Sequence, residues 1–203
     1  IHVINARRYF PKQLTVTGQL KTLAKNGFFL TLYDGKALKM WETLSPMQPG
    51  LKISQCKAFI RTTYKMYPLM RQFQLDSKEL AEQNGYAEDD LSGRRIYFWG
   101  PVEGPKSVNH RIQTPCAKMI NKALIRIDKR IDWVDTAILA QYHDALIVDT
   151  NTPSKTAKLL VEEMERPVKI NGVLRKFPVE LKVGRAWGRV KTCTLETIEE
   201  VMV

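Results

Sequence analysis

The sequence predicts an α+β chain: a helical N-terminal part, then a C-terminal part with an antiparallel β-sheet (a hairpin plus a third strand) backed by helices. Three observations predict it. Apolar residues recur at helical spacing over residues 19–33 and about 54–83. Two short apolar runs flank the dipeptide His143-Asp144. Further on, Val179, Leu181 and Val183 alternate with Glu180 and Lys182.

In chain order, the helix over 19–33 turns Leu23 and Leu30 toward the body. In the helix over 54–83, Phe59, Ile60, Tyr64, Tyr67, Met70 and Phe73 share the apolar spacing. Pro68 should kink or interrupt it, because proline lacks the N–H that a helix interior needs. A third helix over 113–129 carries Ala117, Ile120, Leu124 and Ile127 on one face. The runs Ala137–Tyr142 and Ala145–Val148 then read as a buried β-hairpin with a two-residue junction. Asn151-Thr152-Pro153 supplies a capping residue and a proline for a first helical turn, and Ala157, Leu160, Val161 and Met164 give that helix its apolar stripe. Glu162, Glu163 and Glu165 on it read as a solvated face. The alternation over 179–183 predicts a strand with one buried face, and residues 194–203 a short helix or docking tail.

The 203 residues are 44% hydrophobic and 26% charged, which excludes a wholly disordered chain. No stretch approaches the roughly 18 apolar residues of a membrane span, and no leader is visible before the first motif. The three cysteines, Cys56, Cys116 and Cys193, are far apart and form no Cys-x-x-Cys pair. This argues against a zinc site or disulfide framework and suits a reducing, cytosolic setting. Thirty-two lysines and arginines against 21 acids give a formal net charge of +11. A surface this basic favours a polyanionic partner such as nucleic acid or nucleotide phosphates.

Two constellations carry candidate chemistry. Asp144 sits between two apolar strands, where a charge needs a partner or solvent. A plain turn aspartate and a carboxylate bound to a hard divalent ion both fit there. Lys21, Lys25, Phe29 and Tyr33 are each four apart, so they project from one broad helix face. Ammonium groups followed by rings suit a nucleotide, with cations on phosphates and a ring on base or sugar. An amphipathic helix with a basic edge fits the same spacing.

Several motifs then resemble DNA polymerase family A. His143-Asp144 between apolar strands resembles the family's third motif. Lys21-x3-Lys25-x3-Phe29-x3-Tyr33 resembles its fingers helix, and Asn109-x3-Gln113 its Asn-x3-Gln motif. Gly85-Tyr86 with Ser92-Gly93-Arg94-Arg95 resembles its Gly-Tyr and Gly-Arg-Arg segment. Ile1-His2 resembles the end of Asp-Ile-His, and Gly184-Arg185-Ala186-Trp187-Gly188 the closing Gly-x-x-Trp. The matches run in the family's order over about residues 1–190.

The resemblance implies a fingers subdomain over 1–100 and a C-terminal palm subdomain over 101–203. It implies template-directed nucleotidyl transfer to a primer 3′ end with two Mg²⁺ ions. Asp144 would be a catalytic, metal-binding carboxylate. Lys25, with Lys21 and His2, would hold the incoming dNTP, Phe29 would meet its sugar, and Tyr33 would stand at the templating position. His143, Gln113 and Asn109 would contact primer and template, and Arg94 and Arg95 the template. Primer-template DNA and dNTPs are the implied partners.

This sequence departs from the pattern in places. Ala145 replaces the glutamate after His-Asp, Lys21 replaces an arginine, Asp34 is inserted before Gly35, and Pro115-Cys116 replaces small residues. The first carboxylate motif is not among these residues. The implied arrangement is a split, phage-like polymerase, inactive as this chain alone, whose second polypeptide carries the N-terminal palm and thumb. The rivals are a portion of a longer polymerase, a catalytically inactive nucleic-acid-binding remnant, and a stand-alone phosphohydrolase, which requires a second carboxylate near Asp144 within this chain. The implied location is cytoplasmic, bacterial or in a phage-infected host, with an organelle left open.

Overall fold

The computed structural model describes residues 2–10, 15, 17–170 and 172–202. Five helices come first: α1 (His2–Tyr9), α2 (Gly18–Leu32), α3 (Ala37–Leu44), α4 (Ile53–Met66) and α5 (Pro68–Asn84). A ribbon of β1 (Tyr86–Glu88) and β2 (Arg95–Tyr97) precedes the long α6 (Gly104–Asp128). The hairpin β3 (Thr136–Tyr142) and β4 (Ala145–Thr150) leads into α7 (Pro153–Met164). The ribbons β5 (Val168–Ile170)–β6 (Val173–Arg175) and β7 (Leu181–Val183)–β8 (Lys191–Cys193) follow, then α8 (Ile198–Met202). Two compact units result: one of Ile1–Glu88 and Arg94–Ile112, the other of Asp89–Gly93 and Gln113–Val203.

In the first unit, Leu23, Met40, Leu44 and Cys56 are buried, with Leu20, Leu30, Trp41, Phe59 and Ile60 packed against them. Each such aliphatic side chain contributes about 1.5–3 kcal/mol when fully buried. Gly27 lets α2 approach α4, since a Cβ there would lie 2.7 Å from the Phe59 ring. The expected break at Pro68 is sharp: Tyr67 (φ −131°, ψ 69°) ends α4, and Pro68 opens α5 as its first residue.

The inserted Asp34 has a structural explanation. It sits at φ 56°, just past the α2 C-cap Tyr33. Its N–H donates to the Thr31 carbonyl (3.1 Å), and the Gly35 N–H donates to the Leu30 carbonyl (2.7 Å). This is a Schellman cap with aspartate in the left-handed position that glycine usually takes. Lys36 (2.8 Å) and Arg71 (3.1 Å) pair with the Asp34 carboxylate. Gln74 Nε2 donates to the carbonyls of Thr31 (2.6 Å) and Leu32 (3.0 Å), so the end of α2 is satisfied on several sides.

In the second unit, the hairpin forms about its predicted junction, with Tyr142 opposite Ala145 and Thr136 opposite Thr150. The register shifts between Ile138 and Ala140, a bulge that leaves Leu139 62% exposed. The expected burial is therefore corrected: Ala140 and the whole junction are exposed, and Leu146–Val148 are half-buried.

The third strand forms at Leu181–Val183 but does not join the hairpin. It pairs with β8, so that four separate two-stranded antiparallel sheets are present among the described residues. The reason is packing. Leu181 and Val183 lie against the buried Ala157, Cys193 and Ile198. Periodicity marked the strand but could not name its neighbour.

Two helix expectations are also corrected. The helix over 113–129 is the latter part of α6, which starts at Gly104 and carries Pro115 inside it. Before α7, Thr152 is the N-cap residue but makes no side-chain cap; Thr150 Oγ1 instead accepts from the Thr152 N–H (3.0 Å).

Candidate functional site

Each unit carries its own set of the residues singled out by sequence. In the first, Lys21, Lys25 and Phe29 lie on α2 and Tyr33 caps it. Leu23, Ala24 and Gly27 are buried between them, which turns the two lysines to solvent. Neither lysine makes an ion pair or side-chain hydrogen bond among the described residues, so both charges remain for an anion. Phe29 is 38% exposed and meets Phe28 edge-on at 6.1 Å; Tyr33 is half-buried. The side chain of His2 lies outside the described residues.

Asn109 on α6 is half-buried, and its buried Oδ1 has no hydrogen-bond partner among the described residues. An orphan acceptor of this kind is uncommon in a folded chain. Arg95 is already engaged. It forms an ion pair with Glu88 and lies 4.3 Å from the Tyr86 ring centroid. The hydrogen bond to Glu88 raises its already high pKa further. Arg94 is exposed, and its carbonyl accepts from His110 Nε2 (2.8 Å).

The second unit holds Gln113, His143 and Asp144. His143 has φ 54°, a left-handed conformation that costs a non-glycine residue about 1 kcal/mol or more. Asp144, beside it at the apex of the hairpin, is exposed. Its carboxylate makes no ion pair or hydrogen bond among the described residues. Its lone pairs are therefore open to a hard cation, which takes oxygen ligands. No group of three or more His, Cys, Asp or Glu able to hold a metal occurs among the described residues. Asp144 thus fits as one ligand of a Mg²⁺ site, not as a complete one.

The sequence missed three neighbours. Burial, and next the charge of Asp144, push the Cys116 thiol of α6 upward, so the charge at the apex is felt there. Its place three residues after Gln113 was the available signal. Tyr142 meets the His143 ring at 4.6 Å and the Trp187 ring edge-to-face at 5.9 Å and 88°. Nothing local announced that the Gly-x-x-Trp segment lies against the apex.

Glu163, read as part of a solvated face, is instead fully buried. Arg126 (2.6 Å), Arg166 (2.8 Å) and Arg130 all pair with it. Arg126 Nη2 also donates to its carbonyl (2.7 Å). Desolvation would raise its pKa, but hydrogen bonds from Arg126 and Arg130 and the charge of Arg166 hold it below the usual value. Arg126 in the last turn of α6 and Arg130 in the turn just past it were the available signal for this clamp. Glu165 is also engaged, with Lys176 (2.7 Å) and the Val179 N–H (2.9 Å). The other nearby acids offer no second ligand: Asp132 accepts from the Val134 N–H (3.0 Å), and Asp149 stands opposite Ala137 at the far end of the hairpin.

Comparison with known proteins gives a consistent result. The profile of DNA polymerase family A matches residues 1–189. DNA polymerase I of Borreliella burgdorferi is 22% identical over 203 residues, spanning 94% of this chain and 22% of that protein. DNA polymerase I of Deinococcus radiodurans is 25% identical over 183 residues, spanning 85% and 18%. The chain thus spans about a fifth of the length of these relatives. A solved structure described as the POL domain of Pol1 from M. smegmatis in complex with DNA primer-template and dNTP superposes with a TM-score of 0.69. It covers 81% of this chain and 30% of that one at 22% identity, a likeness of fold.

Proposed function

The chain belongs to DNA polymerase family A, and on that premise we propose that it is the fingers (1–100) and C-terminal palm (101–203) of a DNA-directed DNA polymerase. The reaction is nucleotidyl transfer. The primer 3′-oxygen attacks the α-phosphorus of a dNTP, the new P–O bond forms, and the bond to pyrophosphate breaks. The observation that carries the reading is Asp144: an exposed carboxylate at a hairpin apex, without a partner among the described residues, in the motif the family match covers.

Asp144 would hold one side of a Mg²⁺ site, with the second carboxylate supplied from outside the described residues, by a second polypeptide bearing the N-terminal palm and thumb or by more of a longer chain. Mg²⁺ bound there would draw charge from the attacking oxygen and from the phosphates. Lys25 and Lys21, with His2, neutralise the triphosphate and orient it. Phe29 packs on the sugar and Tyr33 stands at the templating position. His143, Gln113 and Asn109 meet the primer and template. Arg94 and Arg95 hold the template strand. Contacts of this kind tolerate any sequence, as a copying enzyme requires.

The test is primer extension by the chain together with a polypeptide supplying the first carboxylate. Wild type extends the primer and Asp144→Asn does not; full extension by that variant removes Asp144 from the mechanism. A second reading, an inactive nucleic-acid-binding remnant, is favoured by one observation: Ala145 stands where the family has glutamate. It predicts primer-template binding with no Asp144-dependent extension.

A further inference from the structure

The tip that joins β7 to β8 is built to be rigid. A Cβ on Gly184 would lie 2.2 Å from the Arg189 carbonyl oxygen, so only glycine fits that approach. The Arg189 N–H donates to the Ala186 carbonyl (3.0 Å), and Gly188 takes φ 82° to complete the turn. The result holds Trp187 outward, 68% exposed, with its ring against Tyr142, itself 59% exposed. Tyr142 directly precedes His143-Asp144.

The same tip is cationic. Arg185, Arg189 and Lys191 are exposed and make no ion pair among the described residues. No acidic residue lies between Glu180 and Glu196. An outward indole flanked by two open guanidiniums is the chemistry that binds a nucleic acid strand, ring on base or sugar and cations on phosphates.

We propose that the Gly184–Gly188 tip with Arg189 is a primer-strand contact, in which Trp187 packs on a nucleoside near the 3′ end while Arg185 and Arg189 pair with successive phosphates. This rests on the polymerase reading. If Asp144 acts at the primer terminus, the strand within reach of a tip joined to that apex by the Tyr142–Trp187 contact is the primer.

The experiment uses the full 203-residue chain and a labelled primer-template with 5-iododeoxyuridine at the last primer positions. Irradiation should crosslink the primer to the tryptic peptide Ala186–Arg189. In fluorescence anisotropy, R185Q/R189Q should lower the slope of log affinity against log salt by about two, near 0.9 per lost phosphate contact. Trp187→Ala should weaken binding about tenfold, and Trp187→Phe should restore most of it. An aromatic lock with no strand contact predicts no crosslink at the tip and an unchanged salt slope, and that result overturns the inference while leaving Asp144-dependent extension intact. Binding of primer-template no tighter than of heparin overturns both readings together. The two arginines are exposed, so the double variant should keep the wild-type melting temperature.

Discussion

Glu163 and Asp144 lie in the same unit, carry the same charge and sit in opposite circumstances. Glu163 is buried among three guanidiniums, with its carboxylate oxygens and its backbone carbonyl all engaged. Asp144 is exposed at the hairpin apex, with no partner among the described residues. A carboxylate whose lone pairs are all used ties α6 to α7 and has nothing left for a ligand. An open one adds little to stability and can take a cation. One acid is used by the fold, and the other is the one the proposed function calls on.

The sharpest way to break this contrast is Asp144→Asn. On the proposed reading, with the first carboxylate supplied, it should lower primer extension by about 10³-fold or more, the scale of losing one arm of a metal site. The melting temperature should not move. A fall in stability with activity retained would reverse the two roles.

Glu163→Gln should do the opposite, lowering unfolding free energy by about 2–3 kcal/mol. That is at or below the lower end for a broken buried pair, because the guanidiniums left behind reach solvent. The pH dependence follows from the lowered pKa. Glu163 stabilises fully above its unfolded value of about 4.3, and this is lost as pH falls through the lower native value. Denaturant melts of wild type and variant should therefore draw together as pH falls from about 4.3 through the lower native value.

Lys25→Ala extends the contrast to the first unit. An open cation on a helix face should cost about tenfold in nucleotide affinity, measured by titration, with stability unchanged within about 0.5 kcal/mol. The smallest effect belongs to His143→Gly. Relief of the left-handed φ should stabilise the chain by about 0.5–1 kcal/mol while weakening primer-template binding. A destabilised variant would mean the imidazole contact with Tyr142 outweighs the backbone cost.

Sequence alone determined the elements whose causes are local. Helical spacing marked α2, α4 and α5, a proline marked the break between them, and apolar runs marked the hairpin and its junction. The α2 lysines faced outward because Leu23 and Leu30, in the same helix, faced inward. Only the tertiary structure decided what each element met. It paired the strand at 181–183 with β8 instead of the hairpin, and it sank Glu163 against Arg126 and Arg130, 37 and 33 residues away. It also set Trp187 against Tyr142 and gave Asp34 the left-handed cap of α2. The physical reason is range. Period and turn chemistry act within a few residues, whereas ion-pair partners and strand neighbours are fixed by which apolar faces bury together, and spacing along the chain does not encode that.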